Sequence, residues 1–209
     1  MYPRDGYMRI PERMAEDIEK AGNRVLLSSP VKGIVIHGPE DIEVVYGTPE
    51  GDRSIRANHV VSTIPLSLMA QIVTPKADDE VVKAARGLEF RDLITVNLKL
   101  KRKQVSKDTW LYGQDEHILF GRLHEPKNWS RAMVPDDEHT SLVLECFCTL
   151  GDKIWSLSDD DVAKRCVQDL ADKLGFIDAR DVVGWNVIRT RFAYPVYDLE
   201  YAGKLAKIN

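Results

Sequence analysis

The chain has 209 residues, 44% hydrophobic and 30% charged, with a formal net charge of −4. That length suits one large domain or two small ones with a real core. The mild acidity argues against non-specific nucleic-acid binding, which needs a basic stripe to neutralise phosphates. No apolar run reaches the roughly 20 residues of a membrane-spanning helix. The start, Met1-Tyr-Pro-Arg-Asp-Gly6, is polar where a secretory leader needs an apolar segment. Cys146, Cys148 and Cys166 include no Cys-x-x-Cys pair and no His/Cys cluster, so no metal site is expected. Buried, reduced thiols in a cytoplasmic protein are expected instead.

In chain order, Pro11–Lys20 reads as a short helix. Pro11 suits its first turn, Gly22 lies just past its end, and Met14, Ile18 and Ala21 share a face. Strands are predicted over Arg24–Leu27, Val31–His37 and Glu43–Tyr46. A turn follows at Thr48–Gly51, then extended chain at Ser54–Ala57 and His59–Ser62. Leu66–Val73 and Asp78–Arg86 read as helices, the second with acids in its first turn and Gly87 after it.

Phe90–Lys101 alternates strictly. Leu93, Thr95, Asn97, Lys99 and Lys101 face one way, and Ile94, Val96, Leu98 and Leu100 face the other. Further strands are predicted over Thr109–Tyr112, Leu119–Leu123, Ser141–Cys148 and Val182–Arg191. Ser158 caps the clearest helix, which runs to about Leu174 before Gly175. Its acids at 159–161 suit the helix dipole, and Val162, Cys166, Leu170 and Leu174 form its apolar stripe. The fold class is therefore α+β. A helix and small β-meander precede strands around one long helix, with a mixed or antiparallel sheet. Divisions are expected at 1–65, 66–191 and 192–209.

Three stretches carry a resemblance: Gly6-Tyr7 with Ile10-Pro11 entering a helix, Leu26–Ile34, and Val60-Val-Ser-Thr-Ile-Pro65. Their order resembles the interior of the flavin-dependent amine oxidoreductase superfamily, which includes monoamine, polyamine and protoporphyrinogen oxidases and UDP-galactopyranose mutase. The resemblance implies FAD as cofactor. Residues 1–65 become part of the flavin domain, 66–191 the substrate domain, and 192–209 the return segment. Val31 would lie against the adenine end, with Ser62, Thr63 and Pro65 near the cofactor. No Gly-x-Gly-x-x-Gly occurs, and the chain ends before a closing flavin segment. As a separate polypeptide it is therefore expected to bind no FAD tightly and to show no turnover.

The later motifs Trp110-Leu-Tyr112, Phe120-Gly-Arg122 and Arg191-Phe-Ala-Tyr194-Pro195 look most like UDP-galactopyranose mutases. That resemblance implies Trp110, Tyr112, Arg122 and Tyr194 as substrate-binding residues, with the tyrosines and arginine on a UDP diphosphate. The chemistry is apt. A guanidinium fork donates paired hydrogen bonds to phosphate, and phenols add neutral donors and an aromatic wall. The competing reading is a surface arginine paired with an acid, and a tryptophan that belongs to the core. Arg189 and Arg191 share a strand face and could extend a basic rim. No catalytic proton-transfer residue stands out. The alternatives are a protoporphyrinogen- or amine-oxidase-like enzyme with an apolar pocket, or a non-catalytic binding module. Surface meant to face a flavin domain would be bare, so self-association into a homo-oligomer is expected.

Overall fold

The computed structural model describes residues 2–208 and has an α+β fold. Its contacts divide the chain into two units, Met1–Lys20 with Arg91–Tyr194, and Ala21–Phe90 with Pro195–Asn209. These boundaries differ from the expected 65/66 and 191/192. Helices α2 (Leu66–Ile72) and α3 (Asp79–Arg86) pack with the meander. The segment before α1 (Arg9–Lys20) is tied instead to the other unit, where Ser130 Oγ donates to the Arg4 carbonyl.

In the meander unit, β1 (Val31–Gly38), β2 (Asp41–Thr48) and β3 (Gly51–Ala57) are antiparallel neighbours. The short β4 (Val73–Thr74) adds in parallel to β1, giving the order β3-β2-β1-β4. The β2–β3 turn closes because Thr48 Oγ1 donates to the Gly51 carbonyl at 2.8 Å, and Gly51 supplies a φ of +124°. Helix α5 (Tyr201–Ile208), absent from the sequence prediction, packs on α3. The predicted strand Arg24–Leu27 does not form, and the extended chain predicted at His59–Ser62 joins no sheet. Their apolar pattern satisfies strand propensity, but no sheet edge receives them, and propensity alone does not order a strand. Leu27 and Val61 are among the most exposed apolar residues of the unit.

In the other unit, five strands take the order β6-β7-β8-β5-β9. They are β5 (Phe90–Leu100), β6 (Leu111–Tyr112), β7 (Arg122–His124), β8 (Thr140–Cys148) and β9 (Val182–Pro195). The predicted alternation of β5 holds: Ile94, Val96, Leu98 and Leu100 are fully buried. Leu142, Leu144 and Cys146 of β8 continue that layer, and α4 (Asp159–Gln168) adds Val162, Ala163 and Cys166. Ser158 caps α4 as predicted, its Oγ accepting the Asp161 N–H at 3.1 Å. The helix is α only to Gln168 and then widens into a π-turn over Asp169–Lys173. There the buried Asp169 accepts the Leu119 N–H at 2.8 Å. Strands β6 and β7 are shorter than predicted, and β9 runs on to Pro195.

Candidate functional site

The register of the five-stranded sheet builds the site. Arg122 of β7 is opposite Glu145 of β8, which is opposite Thr95 of β5. In the next row of that face, His124 is opposite Val143. Tyr112 of β6 is opposite Arg122 on its other side. Two glycines let the strands close up. Gly113 N–H donates to the Gly121 carbonyl, and Gly121 N–H donates to the Glu145 carbonyl, both at 3.0 Å. A Cβ on Gly121 would lie 3.0 Å from the Phe147 ring, so a side chain there would push on the site.

Arg122 is the hub. Its Nε donates to Glu145 Oε1 at 2.9 Å, and its Nη2 donates to the other carboxylate oxygen and to the Tyr194 hydroxyl, the latter at 3.0 Å. Its Cζ stands 4.6 Å from the centre of the Trp110 ring, a cation–π geometry. The Arg122 side chain is 22% exposed and that of Glu145 7%. Hydrogen bonding to Glu145 drives the guanidinium pKa further up, against burial, with Tyr194 and Tyr112 as further hydrogen-bond partners. The predicted Trp110, Tyr112, Arg122 and Tyr194 therefore come together in one cluster. Arg122 is also paired with an acid, but that pair is largely buried rather than on the surface.

Around the hub lies an aromatic cluster. His124 meets Trp110 and Trp129 edge-on at 4.6 and 4.9 Å, and Tyr2 stacks on Trp129 at 5.7 Å. Burial lowers the His124 pKa, Glu145 opposes this, and Arg122 adds to it. Its Nδ1 is buried without a hydrogen-bond partner, 3.9 Å from Glu145. Trp110 is half-exposed rather than core. Tyr112 is 65% exposed and Tyr194 42%, so both phenols remain reachable by a ligand.

Glu145, His124, Trp129 and Tyr2 were not singled out from the sequence. Glu145 had a readable signal, a lone carboxylate inside the apolar alternation Thr140–Cys148. Arg189 and Arg191 form no rim with Tyr194. Arg189 bonds Asp159 and the carbonyls of Trp155 and Leu157, while Arg191 bonds Asp92.

The predicted cofactor residues lie in the meander unit. Val31 opens β1 opposite Tyr46 and is 40% exposed. Ser62 and Thr63 are exposed on irregular chain. Pro65 begins α2, its carbonyl accepting from Leu68 and Met69. Among the described residues no glycine-rich strand-to-helix turn offers N–H groups to a pyrophosphate. No three His, Cys, Asp or Glu side chains among the described residues are grouped to hold a metal. No helix among them is long and apolar enough to cross a membrane.

The model of the flavin containing amine oxidoreductase family matches residues 1–203. Chloroplastic protoporphyrinogen oxidase 1 of Spinacia oleracea is 24% identical over 121 residues, 58% of this chain and 20% of that protein. The chloroplastic protoporphyrinogen oxidase of Oryza sativa subsp. japonica is 26% identical over the same length, 22% of its own. The chain thus spans about a fifth of the curated relatives it matches. Among solved structures, reduced UDP-galactopyranose mutase superposes with a TM-score of 0.81 at 17% identity, over 99% of this chain and 43% of that one. A triple mutant of putrescine oxidase gives 0.70 at 20%, over 97% and 43%. At these identities the structural likenesses show the fold alone, whereas the family match covers nearly the whole chain: it belongs to the flavin containing amine oxidoreductase family.

Proposed function

We propose that this chain forms the substrate-side part of a flavin-dependent enzyme, and that the Arg122 cluster receives the diphosphate of a sugar nucleotide. The observation that carries this reading is the convergence of Tyr112, Arg122, Tyr194 and Trp110 on one face of the sheet. A guanidinium has more N–H donors than the bonds to Glu145 and Tyr194 use. Glu145 fixes the fork while the exposed phenols flank the approach. Arg122 then binds and orients, the tyrosines donate to phosphate oxygens, and Trp110 narrows the site against water. Val31 would lie against the adenine end of FAD and Ser62, Thr63 and Pro65 near the cofactor, with its phosphate cradle supplied from elsewhere. Bound flavin supplies hydride acceptance or, when reduced, a nucleophile. The isolated chain is expected to purify without a stoichiometric flavin spectrum.

A second reading is a protoporphyrinogen-oxidase-like enzyme. Two observations favour it: the sequence likeness to such oxidases, and the buried Glu145 that already neutralises Arg122. Calorimetric titration of the 209-residue chain with UDP separates the two. The sugar-nucleotide reading expects saturable binding that Arg122→Ala weakens by about tenfold or more, the loss of a charge-assisted hydrogen bond. A folded chain that binds no UDP overturns it in favour of the oxidase reading.

A further inference from the structure

The row that makes the core of β5 begins with a carboxylate, and the proposed site does not use it directly. Asp92 precedes Ile94, Val96 and Leu98 on the buried face and is itself 2% exposed. It is fully engaged. Oδ2 accepts the Leu150 N–H at 2.7 Å, and Oδ1 accepts the Phe192 N–H at 2.9 Å and Arg191 Nε at 3.0 Å. Burial pushes its pKa up, but these bonds outweigh that and leave the pKa below its ordinary value.

Phe192 is held in an uncommon state. Its φ is +57°, in the left-handed region that costs an L residue about 1–2 kcal/mol. A bulky residue there is an outlier that the surrounding structure must enforce. Two residues later, the Tyr194 hydroxyl meets Arg122 Nη2 at 3.0 Å and its ring meets Phe147 at 5.9 Å. The kink therefore lies between an anchored arginine and the tyrosine of the cluster.

We propose that Asp92 is a positioning residue: by gripping the Phe192 N–H and Arg191 it holds the left-handed corner of β9 that delivers the Tyr194 hydroxyl to Arg122. Asp92 touches no ligand in this arrangement and acts through Tyr194. The geometric claim is independent of the ligand, and only its consequence for affinity rests on the sugar-nucleotide reading.

Two measurements test it. In NMR spectra of the full chain, Asp92→Ala, which removes the acceptor of the Phe192 N–H, should abolish the cross-peaks between the Tyr194 ring and the Arg122 guanidinium. The Arg122 Nε–H should stay in slow exchange, because its bond to Glu145 is untouched. A merely structural role would lose both signals or neither. Adding Phe192→Gly to Asp92→Ala should restore the Tyr194 contact, since glycine takes positive φ without penalty. Persistence of the cross-peaks in Asp92→Ala, or no rescue by Phe192→Gly, overturns the proposal. In UDP titrations Asp92→Ala should weaken binding about fivefold, one hydrogen bond's worth, and by less than about twofold in a Tyr194→Phe background, because both act through one contact. Independent, multiplicative losses overturn it. If the wild-type chain binds no UDP, the sugar-nucleotide reading falls, and the NMR result alone decides the role of Asp92.

Discussion

In the five-stranded unit, Ile94, Val96, Leu98, Leu100, Leu142 and Leu144 are fully buried, whereas in the meander unit Leu27 and Val61 remain 82% and 91% exposed. Both stretches read as apolar strand in the sequence. The difference is sheet membership and a second layer: Leu27 and Val61 lie in no strand. Helix α4 and the π-turn cover one face of the larger sheet with Val162, Cys166 and Leu170. In the meander unit the helices bury mainly small residues, Ala70, Ala84 and Ala85, together with Val82, and Leu88 is buried just beyond α3. A strand pattern states which face should be apolar, and burial depends on what lies over it. The meander unit thus keeps large apolar side chains exposed to solvent.

The sharpest way to break this contrast is a pair of truncations. Leu144→Ala is expected to destabilise the chain by about 3 kcal/mol through cavity formation, measured by denaturant unfolding. Leu27→Ala should cost less than about 0.5 kcal/mol. Comparable losses at the two sites would contradict the contrast.

Next in size is the ion pair inside the larger unit. Glu145→Ala leaves a largely buried guanidinium without its carboxylate and should cost about 2 kcal/mol. Glu145→Gln should cost less and raise the affinity for anions, because Arg122 keeps a hydrogen-bond partner and loses its neutralising charge.

A smaller effect is on pH. Burial depresses the His124 pKa, so its neutral form is favoured in the folded state. Its contribution is complete above the unfolded value, about 6.5. It is lost as pH falls and the unfolded chain takes up the proton first. Asp92 also has a depressed pKa, so its contribution holds above about 3.9 and disappears as pH falls through the folded value. Stability should therefore drop below about pH 6.5, and His124→Gln should flatten the first part of that slope. A wild-type slope unchanged by His124→Gln would assign it to other groups.

The smallest free-energy change carries the most visible outcome. The exposed Leu27 and Val61 predict concentration-dependent self-association, read by light scattering. Leu27→Lys with Val61→Lys should reduce it without moving the unfolding midpoint. A clean monomer at high concentration would show that these exposed side chains do not drive association.

Much of the larger unit was legible because its signals are local. Strict alternation marked the buried row of β5, and Ser158 with three following acids marked the start of α4. The meander was legible at Val31–His37 and at the Thr48–Gly51 turn. The strand expected at Arg24–Leu27 does not form: residue type favours a strand there, but no sheet edge receives it. Helix α5 was missed although Asp198 Oδ1 accepts the Glu200 N–H at 2.8 Å just ahead of it, because its eight residues carry only a short apolar pattern.

The sequence by itself determined the α+β class and which side chains of β5 lie in the core. It also set the spacing that puts Trp110, Tyr112 and Arg122 near neighbouring strand positions. These follow from periodicity and capping, which act over a few residues. Only the tertiary structure decided that Arg122 is gripped by Glu145, 23 positions away, and that Tyr194 reaches it from 72 positions away. It also decided that the buried Nδ1 of His124 is left without a hydrogen-bond partner. Such pairings depend on cross-strand register and on one left-handed residue, Phe192, held by a carboxylate 100 positions distant. No local pattern encodes them, because each arises only when separate stretches close on one another.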